Sequence, residues 1–293
     1  MNDPTTAPSD LASATAVRKL DRAPGWYVAD LPSYWNYFSP SGGVLMTVAM
    51  RAMEAELADE GFRPVSANTL FCSPVPHGPL EIRVEVIRRG NAAVQMRAAL
   101  SSTLKPGPGL EVSATFARAR EGVDVLAAEP HRLGGPDDAE DAADREMSLA
   151  KIGAIPFFGN FDMRLAHGPA FWRAEWQGSE ARSAFWYRYR IPQHTAEGHF
   201  DPLAIPPIAD TMPPSLLVRV GPEAPRVYAP SLDLTVHFLD PSPSQWLLVD
   251  VRCPRARAGY ATARADIWDD GGKLVATATQ TMMLRRDPRV GSG

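Results

Sequence analysis

The amino-acid sequence predicts an α+β protein made of two similar units, each with a curved antiparallel sheet wrapped around one central helix. Two observations lead to this prediction. A helix-sized apolar segment is followed by four strand-like runs in the first half of the chain, and the same order returns in the second half. An antiparallel sheet can bury one face on such a helix and leave its other face in water.

Length and composition are those of a globular protein with a substantial core. The chain has 293 residues, 45% of them hydrophobic, which is enough for one large domain or two smaller ones. The formal charge of -4, with basic residues spread along the chain, argues against nucleic-acid and membrane-surface partners. No apolar run is long enough to cross a membrane and the N-terminus lacks the pattern of a secretory signal, so we expect a cytoplasmic protein.

Cysteines and histidines give no sign of a metal site. Cys72 and Cys253 lie far apart in apolar, strand-like contexts and are interpreted as two small buried hydrophobic residues. The histidines share no metal-ligand spacing, and no phosphate-binding loop is present. We therefore expect neither a metal nor a cofactor.

The first half divides into a tail, a helix and four strands. Residues 1–12 are rich in Pro, Ser, Thr and Asp and are predicted to form a disordered tail. A Ser-Pro-Ser sequence then signals a helix start, and Gly42 and Gly43 allow another backbone to approach closely. Four closely spaced strands are predicted to pair in chain order, as a meander. They span residues 65–72, 80–88, 92–102 and 110–118.

A change in composition separates the two halves. Residues 121–150 are rich in Ala, Asp, Glu, Pro and Gly and are predicted to be a linker between a first unit at 13–120 and a second at 151–287. The second unit repeats the order of the first, with one helix predicted over residues 203–218. Its predicted strands span residues 161–165, 185–190, 231–238, 246–253, 260–268 and 274–284.

Aligning the halves indicates an internal duplication. Superposing residues 66–89 on residues 233–256 places Phe71 on Phe238 and Pro74 on Pro241. Two such units side by side would also pair sheet edges that are otherwise exposed.

These features resemble the double hotdog fold of the acyl-CoA thioesterase II family, within the thioesterase-like superfamily. The resemblance covers residues 26–286. In the first half the family pattern is an aromatic residue, a Phe-Gly-Gly sequence at the helix start and a strand ending in Phe-x-x-Pro. Here these appear as Trp35, then Ser41-Gly42-Gly43, then Phe71 to Pro74, so a serine replaces the phenylalanine before the glycines.

In the second half the resemblance implies three catalytic residues. The family carries an Asp at the start of the central helix, a Thr or Ser opening the next strand and a Gln in the last strand. The matching residues are Asp210, Ser231 and Gln280. Two prolines follow Asp210 where the family helix is usually more regular.

The activity implied by the resemblance is hydrolysis of an acyl thioester. The acyl group of that substrate would be attached to coenzyme A or to an acyl carrier protein. This reaction needs an oriented water, a proton acceptor and donors for the oxyanion. We expect Asp210 to be the base and Ser231 and Gln280 to hydrogen-bond the water and the carboxylate. Gly42 and Gly43 are the predicted substrate-binding residues, with N–H groups of the helix start receiving the thioester oxygen.

Each catalytic candidate also has a structural interpretation. Asp210 could serve only as the N-cap of a helix, a common role of aspartate. Ser231 could simply open a strand. Gln280 is an amide among apolar residues and could make a structural hydrogen bond or face outward.

The first half has no second copy of this set. Gly42 or Gly43 stands where Asp210 does, and the alignment places Phe116 on Gln280. The sequence therefore predicts one site per chain. An exposed sheet edge makes a homodimer or a higher homo-oligomer plausible.

Two other functions stay open. A double hotdog protein could bind acyl ligands without turning them over, as the departures from the family pattern allow. A hotdog hydratase or dehydratase would need a histidine near a helix start to pair with an aspartate, and neither half has one there.

Overall fold

The computed structural model describes residues 8–21, 24–129, 131–142, 155–173, 175–223 and 227–286. In these ranges the helices are α1 (Leu11–Ala14), α2 (Gly42–Leu57), α3 (Ile205–Ala209) and α4 (Pro214–Val220). The strands of the first half are β1 (Arg18–Lys19), β2 (Trp26–Leu31), β3 (Arg63–Phe71), β4 (Gly78–Arg89), β5 (Ala93–Ser102) and β6 (Leu110–Ala117). The strands that follow are β7 (Glu140–Asp141), β8 (Phe161–His167), β9 (Arg182–Tyr189), β10 (Val227–Tyr228), β11 (Asp233–Phe238), β12 (Leu247–Arg257), β13 (Tyr260–Asp269), β14 (Leu274–Met283) and β15 (Arg285–Arg286).

One antiparallel sheet contains 13 of these strands, in the order β1-β2-β4-β5-β6-β3-β11-β14-β13-β12-β9-β8-β7. The six strands of the first half lie together on one side, and the strands of the second half lie on the other side. Strands β10 and β15 form a separate pair.

Helix α2 is the central helix of the first half. Its sequence is apolar on nearly every face, and residues from Gly43 to Met53 are buried with few exceptions. It packs on β4, β5 and β6, and the helix ends where Ala58 adopts a left-handed conformation (φ 51°). An all-round apolar helix is stable only when it is enclosed, and the sheet supplies that enclosure.

The predicted order of the first four long strands is wrong for β3. Strands β4, β5 and β6 pair in chain order, but β3 pairs with β6 on one side and with β11 on the other. The segment between β3 and β4 contains Pro74 and Pro76 and is not a tight hairpin turn. It carries the chain across the sheet, and β3 is thereby available to join the two halves.

A local two-fold relation holds at the junction of β3 and β11. Asn68 pairs with Thr235, its side-chain amide donates to the threonine hydroxyl (2.8 Å), and the two residues are 167 positions apart. The alignment of Phe71 with Phe238 gives the same separation (238 minus 71 is 167). The strand pairing between β3 and β11 and the sequence repeat therefore relate the two halves by the same separation, which confirms the predicted duplication.

The single helix predicted over residues 203–218 is wrong. A 3-10 turn at Pro202–Ala204 leads into α3, the chain leaves helical conformation after Ala209, and α4 begins at Pro214. Prolines cost little in a first turn, where the missing N–H has no helical partner, but they disfavour helix in the residue before them. The two prolines at 213 and 214 therefore start a new helix and interrupt the old one.

The described part of the predicted tail is ordered by contacts with the second half. Leu11 in α1 is fully buried, and the Ser9 N–H donates to the Asn160 side chain (2.8 Å). Asp10 caps α1 by accepting from the Ser13 N–H (3.0 Å). Residues 8–12 thus differ from the predicted tail, and residues 1–7 lie outside the described residues.

The described part of the predicted linker also contains packed residues. Residues 121–129 are exposed and without helix or strand, but β7 pairs with β8, and the His131 ring packs edge-on against Trp186 and Trp268. These tryptophans belong to a second, smaller apolar cluster on the sheet. An apolar cluster of this kind has to be shielded from water by neighbouring residues. Residues 130 and 143–150 lie outside the described residues.

The prediction of two buried cysteines holds for one of them. Cys253 is buried, whereas Cys72 is exposed just after the end of β3. The predicted unit boundaries at 13–120 and 151–287 stay predictions.

Candidate active site

The buried carboxylate of Asp210 is the centre of the site. Its Oδ1 accepts hydrogen bonds from the Ser231 hydroxyl (3.0 Å) and the Gln280 side-chain amide (2.5 Å). Its Oδ2 accepts from the Gly43 N–H (3.0 Å) and the Ser41 hydroxyl (3.3 Å). The three predicted catalytic residues therefore meet, and the first half contributes two further donors.

Asp210 owes its position to the interruption of the second-half helix. It is the C-cap of α3, with backbone angles φ -75° and ψ 6°, and it is not the N-cap of α4. The structural interpretation of Asp210 as an N-cap of its own helix is therefore wrong. The carboxylate instead lies at the N-terminus of α2, where the free N–H groups and the positive end of the helix dipole favour an anion.

Gly42 and Gly43 make this contact between the halves possible. A Cβ atom on Gly43 would lie 2.1 Å from the Pro206 carbonyl oxygen, which belongs to the backbone of α3. A Cβ on Gly42 would lie 2.6 Å from the Phe71 ring and 3.0 Å from Asp210 Oδ2. The close backbone approach predicted for the two glycines is found at Gly43, where any larger residue would force α2 and α3 apart, whereas the atoms near Gly42 belong to side chains.

The duplication explains why the site is asymmetric. Gly43 and Asp210 are 167 positions apart, as are Asn68 and Thr235 at the sheet junction. Equivalent positions of the two halves thus face each other in the core. If both equivalent positions carried a carboxylate, the two groups would face each other in the core and could not both be ionised without strong repulsion. One half therefore supplies the carboxylate, and the other half supplies room and an N–H donor.

Strand pairing gives the correspondence between the halves in the neighbouring strands. Asn68 in β3 lies opposite Ser113 in β6, and Thr235 in β11 lies opposite Thr279 in β14. Since Asn68 and Thr235 are equivalent, Ser113 is the counterpart of Thr279.

The first-half counterpart of Gln280 is consequently Ala114, the next inward-facing residue of β6. The predicted counterpart, Phe116, is wrong by two positions because the alignment by sequence slipped in this strand. The conclusion drawn from it is unchanged, since alanine cannot replace the amide. Ser231 lacks a hydroxyl counterpart as well, because the same 167-residue separation places Pro64 there.

Burial and hydrogen bonding act in opposite directions on Asp210. Removal from water raises the pKa of its carboxyl group above the ordinary aspartate value, while the four hydrogen bonds lower it. Burial is the larger effect, so the pKa is raised. The raised pKa makes Asp210 a stronger base than an aspartate in water.

Access to the carboxylate is possible on the side of Ser231. Gln280 and Ser41 are buried, whereas Ser231, Gly42 and the Phe71 ring are partly exposed. Gln280 Oε1 is also buried and has no hydrogen-bond partner among the described residues. A buried acceptor of this kind is costly unless a ligand or water donates to it.

The described residues contain no group of three or more His, Cys, Asp or Glu side chains placed to hold a metal ion. Within the same ranges, no helix has the length and apolarity needed to cross a bilayer. The predicted cytoplasmic location and the predicted homodimer stay predictions.

The fold and the paired central elements define a double hotdog protein, and solved structures agree. The chain is similar to a hotdog-fold protein of unknown function from Alicyclobacillus acidocaldarius, with 20% identity, TM-score 0.77 and coverage of 94% of this chain and 98% of that one. It is similar to an acyl-CoA thioesterase II from Mycobacterium marinum, with 21% identity, TM-score 0.71 and coverage of 96% and 100%. The predicted fold class is confirmed.

The same fold occurs in another enzyme class. The dehydratase domain of RzxB from Pseudomonas fluorescens matches with 10% identity, TM-score 0.51 and coverage of 88% of this chain and 94% of that domain. Likeness at this level shows the fold alone, so the reaction has to be decided on other grounds.

Sequence models of the family decide the identity. The model of the acyl-CoA thioesterase N-terminal domain matches residues 31–118, and that of the C-terminal domain matches residues 135–284. The chain belongs to the acyl-CoA thioesterase family, which confirms the predicted resemblance and gives thioester hydrolysis as the general reaction. No curated protein sequence matches the chain.

Sequence reasoning missed the roles of Ser41 and Gly43 as donors to Asp210. The sequence predicts Ser41 only as part of a helix-start signal, and it predicts Gly43 as a residue that allows close approach and binds the substrate, not as a donor to Asp210. The available signal was that a helix N-terminus is itself an anion site, and a serine and two glycines at such a place favour a carboxylate partner.

Proposed function

We propose that the protein hydrolyses acyl-CoA thioesters at Asp210, which acts as the general base for a water molecule. The observation that carries this proposal is the buried carboxylate held from both sides, by Ser231 and Gln280 on one oxygen and by the start of α2 on the other. A carboxylate with a raised pKa and fixed orientation suits proton abstraction.

Ser231 is the proposed gate for the water. The four donors occupy the acceptor positions of the carboxylate, so one of them must turn away before a water can donate to Asp210. Ser231 is partly exposed and its hydroxyl rotates freely about one bond. In the proposed complex the water donates to Asp210 Oδ1 and to Gln280 Oε1, and it accepts from the Ser231 hydroxyl.

The proposed reaction needs no covalent intermediate with the enzyme. Asp210 takes a proton from the water as the water oxygen attacks the carbonyl carbon, and the carbonyl oxygen becomes an oxyanion. When the carbon–sulfur bond breaks, the proton passes from Asp210 to the departing thiolate. The products are a carboxylic acid and a free thiol, and Asp210 returns to its ionised state.

Gly42 is the proposed donor to the oxyanion. The N–H of Gly43 is engaged with Asp210, so it does not serve the substrate as well. Gly42 is the first residue of α2 and is partly exposed, and its N–H lies at the positive end of the helix. The substrate-binding role expected for both glycines thereby falls to Gly42, while Gly43 holds the carboxylate of Asp210.

The hydratase or dehydratase alternative has little support at this site. That chemistry pairs an aspartate with a histidine, and the hydrogen-bond partners of Asp210 are two serines, a glycine and a glutamine. Neutral donors of this kind can hold and orient a carboxylate, but they are not proton donors of suitable pKa for dehydration.

The proposal is tested by measuring thiol release from acyl-CoA substrates of short, medium and long chain length. We expect turnover with at least one chain-length class and equal amounts of acid and thiol. Binding of the same thioesters in calorimetry, without thiol release at any chain length, would instead identify a non-catalytic acyl-binding protein.

A further inference from the structure

We propose that Phe38 and Tyr228 form the entrance to the site and hold the pantetheine arm of the thioester substrate. This inference rests on the proposed function, because it assigns a binding site for the part of the substrate that lies outside the buried centre. The shared chemistry is the pantetheine group, which both coenzyme A and acyl carrier proteins present.

The two rings are exposed and in contact with each other. Phe38 is 53% exposed and Tyr228 is 38% exposed, and their ring centroids lie 5.8 Å apart at an angle of 78°. Phe38 lies at the tip of a tight loop closed by a bridge between Asn36 and Pro40. The fold thus presents a large aromatic ring to water at a defined place and packs it against a second ring from the other half of the chain.

Both rings lie close to the site along the chain. Phe38 precedes Gly42 by four residues, and Tyr228 precedes Ser231 by three. An extended residue spans at most ~3.6 Å, so the Cα atoms of Phe38 and Tyr228 lie within roughly 10–15 Å of the Cα atoms of Gly42 and Ser231, respectively. The contact between the rings joins the two segments that lead into the site, one from each half.

The chemistry of the rings suits an uncharged arm. Pantetheine is a chain of methylene, methyl and amide groups, and an edge-on pair of aromatic rings offers an apolar surface with one phenol hydroxyl for an amide. Beyond the rings, Arg285 lies opposite Tyr228 in the β10–β15 pair and is exposed. A guanidinium at that place suits the phosphate that ends the pantetheine arm in coenzyme A and in a carrier protein.

The test compares three thioesters of one acyl group in the wild type and in Phe38→Ala and Tyr228→Ala. They are the acyl-CoA, the acyl-pantetheine and the acyl-N-acetylcysteamine, which ends after the first amide. We expect each variant to lower kcat/KM about tenfold for the two longer thioesters and less than about twofold for the shortest one. Equal losses on all three substrates, or no loss on any, would overturn the inference.

Two control variants separate ring contact from folding. Tyr228→Phe keeps the ring and is expected to retain most of the wild-type kcat/KM on the longer thioesters. Ile87→Ala removes an equally exposed apolar side chain, 57% exposed on β4, and is expected to change none of the three values.

A binding measurement keeps the inference independent of turnover. Calorimetry with an S-alkyl coenzyme A thioether, which cannot be hydrolysed, is expected to show about tenfold weaker binding in Tyr228→Ala than in the wild type. If the wild type hydrolyses none of the thioesters while this difference persists, the proposed function fails and the binding site stands. Unchanged thioether binding in Tyr228→Ala contradicts the binding site whatever the turnover.

The carrier is decided by a further arm of the same assay. The wild type is compared on one acyl group attached to coenzyme A and to an acyl carrier protein. Because both carry phosphopantetheine, Phe38→Ala is expected to lower kcat/KM for each, and the larger wild-type value identifies the carrier. Unchanged kcat/KM values for both carriers in Phe38→Ala would contradict the assignment.

Discussion

The two central helical regions occupy equivalent places in the two halves, yet they differ in continuity and in chemistry. In the first half, α2 is an unbroken helix that begins with two glycines. In the second half, prolines divide the helical segment, and Asp210 lies in the gap between α3 and α4. One region offers N–H groups and space, and the other offers a carboxylate. The comparison teaches that a duplicated fold can keep one site by making its two halves complementary.

Helix continuity decides what each region can donate. The start of α2 presents N–H groups that no residue of the same helix accepts, and Asp210 accepts one of them from the other half. A carboxylate in the gap after α3 has left the helix and can turn toward that N-terminus. The interruption of the helix between α3 and α4 therefore positions Asp210, the proposed base.

The largest effect among supporting residues is expected at Gln280. Replacing Gln280 with Leu removes a donor to the carboxylate and the buried Oε1 acceptor, and hydrogen bonds to charged groups are worth ~1.5–3 kcal/mol. We expect kcat/KM to fall roughly 10–100-fold. Thr279→Val is the control, because this side chain is exposed on the opposite face of the same strand. Equal activity of the two variants would remove Gln280 from the site.

A substitution at Gly43 tests the contact between the halves. Gly43→Ala places a Cβ against the Pro206 carbonyl oxygen, which cannot move as a side chain can. We expect the free energy of unfolding to fall by ~1–3 kcal/mol, together with a loss of turnover. Denaturant titration is the measurement, and Gly122→Ala is the control, because a Cβ there meets no atom within 4 Å. An unchanged midpoint in Gly43→Ala would contradict the close contact.

Ser231 is expected to move the pH dependence of the reaction. The base must be ionised, so kcat/KM falls as the pH decreases through the raised pKa of Asp210. Ser231→Ala removes a hydrogen bond that lowers this pKa, so the fall should occur at higher pH than in the wild type. Ser231→Thr keeps the hydroxyl and should keep the wild-type profile. A profile that does not move in Ser231→Ala would contradict a direct contact in solution.

The smallest effect concerns stability. Because the folded-state pKa of Asp210 is raised, the folded protein holds this proton more tightly than the unfolded chain does. The contribution of Asp210 to stability is therefore greatest below the unfolded value, about 3.9, and is lost as the pH rises through the folded value. Asp210→Asn lacks this dependence. Thermal unfolding of both proteins should show the variant gaining relative stability as the pH increases, and parallel curves would argue against a raised pKa.

Local patterns in the sequence were sufficient to predict most of the elements. Alternating apolar residues predicted β5 within one residue at each end, and the Ser-Pro-Ser sequence predicted the start of α2. The resemblance to a family predicted Asp210, Ser231 and Gln280, and the structure brings all three together.

Contacts distant in sequence could not be predicted in this way. The pairing of Asn68 in β3 with Thr235 in β11 and the hydrogen bond from Gly43 to Asp210 each join residues 167 positions apart, and no local pattern specifies either one. The break before α4 depended on two prolines whose cost is small in a first turn and large inside a helix, so the sequence allowed both outcomes.

The most direct test of the account is thiol release by Asp210→Asn. The substitution keeps size and shape, so circular dichroism should show the wild-type fold, and we expect kcat/KM to fall by at least about a hundredfold. Asp162→Asn is the matched control, since it makes the same change at a half-exposed carboxylate paired with Arg188 and should retain wild-type turnover. Wild-type turnover in folded Asp210→Asn would contradict the role of Asp210 as the base.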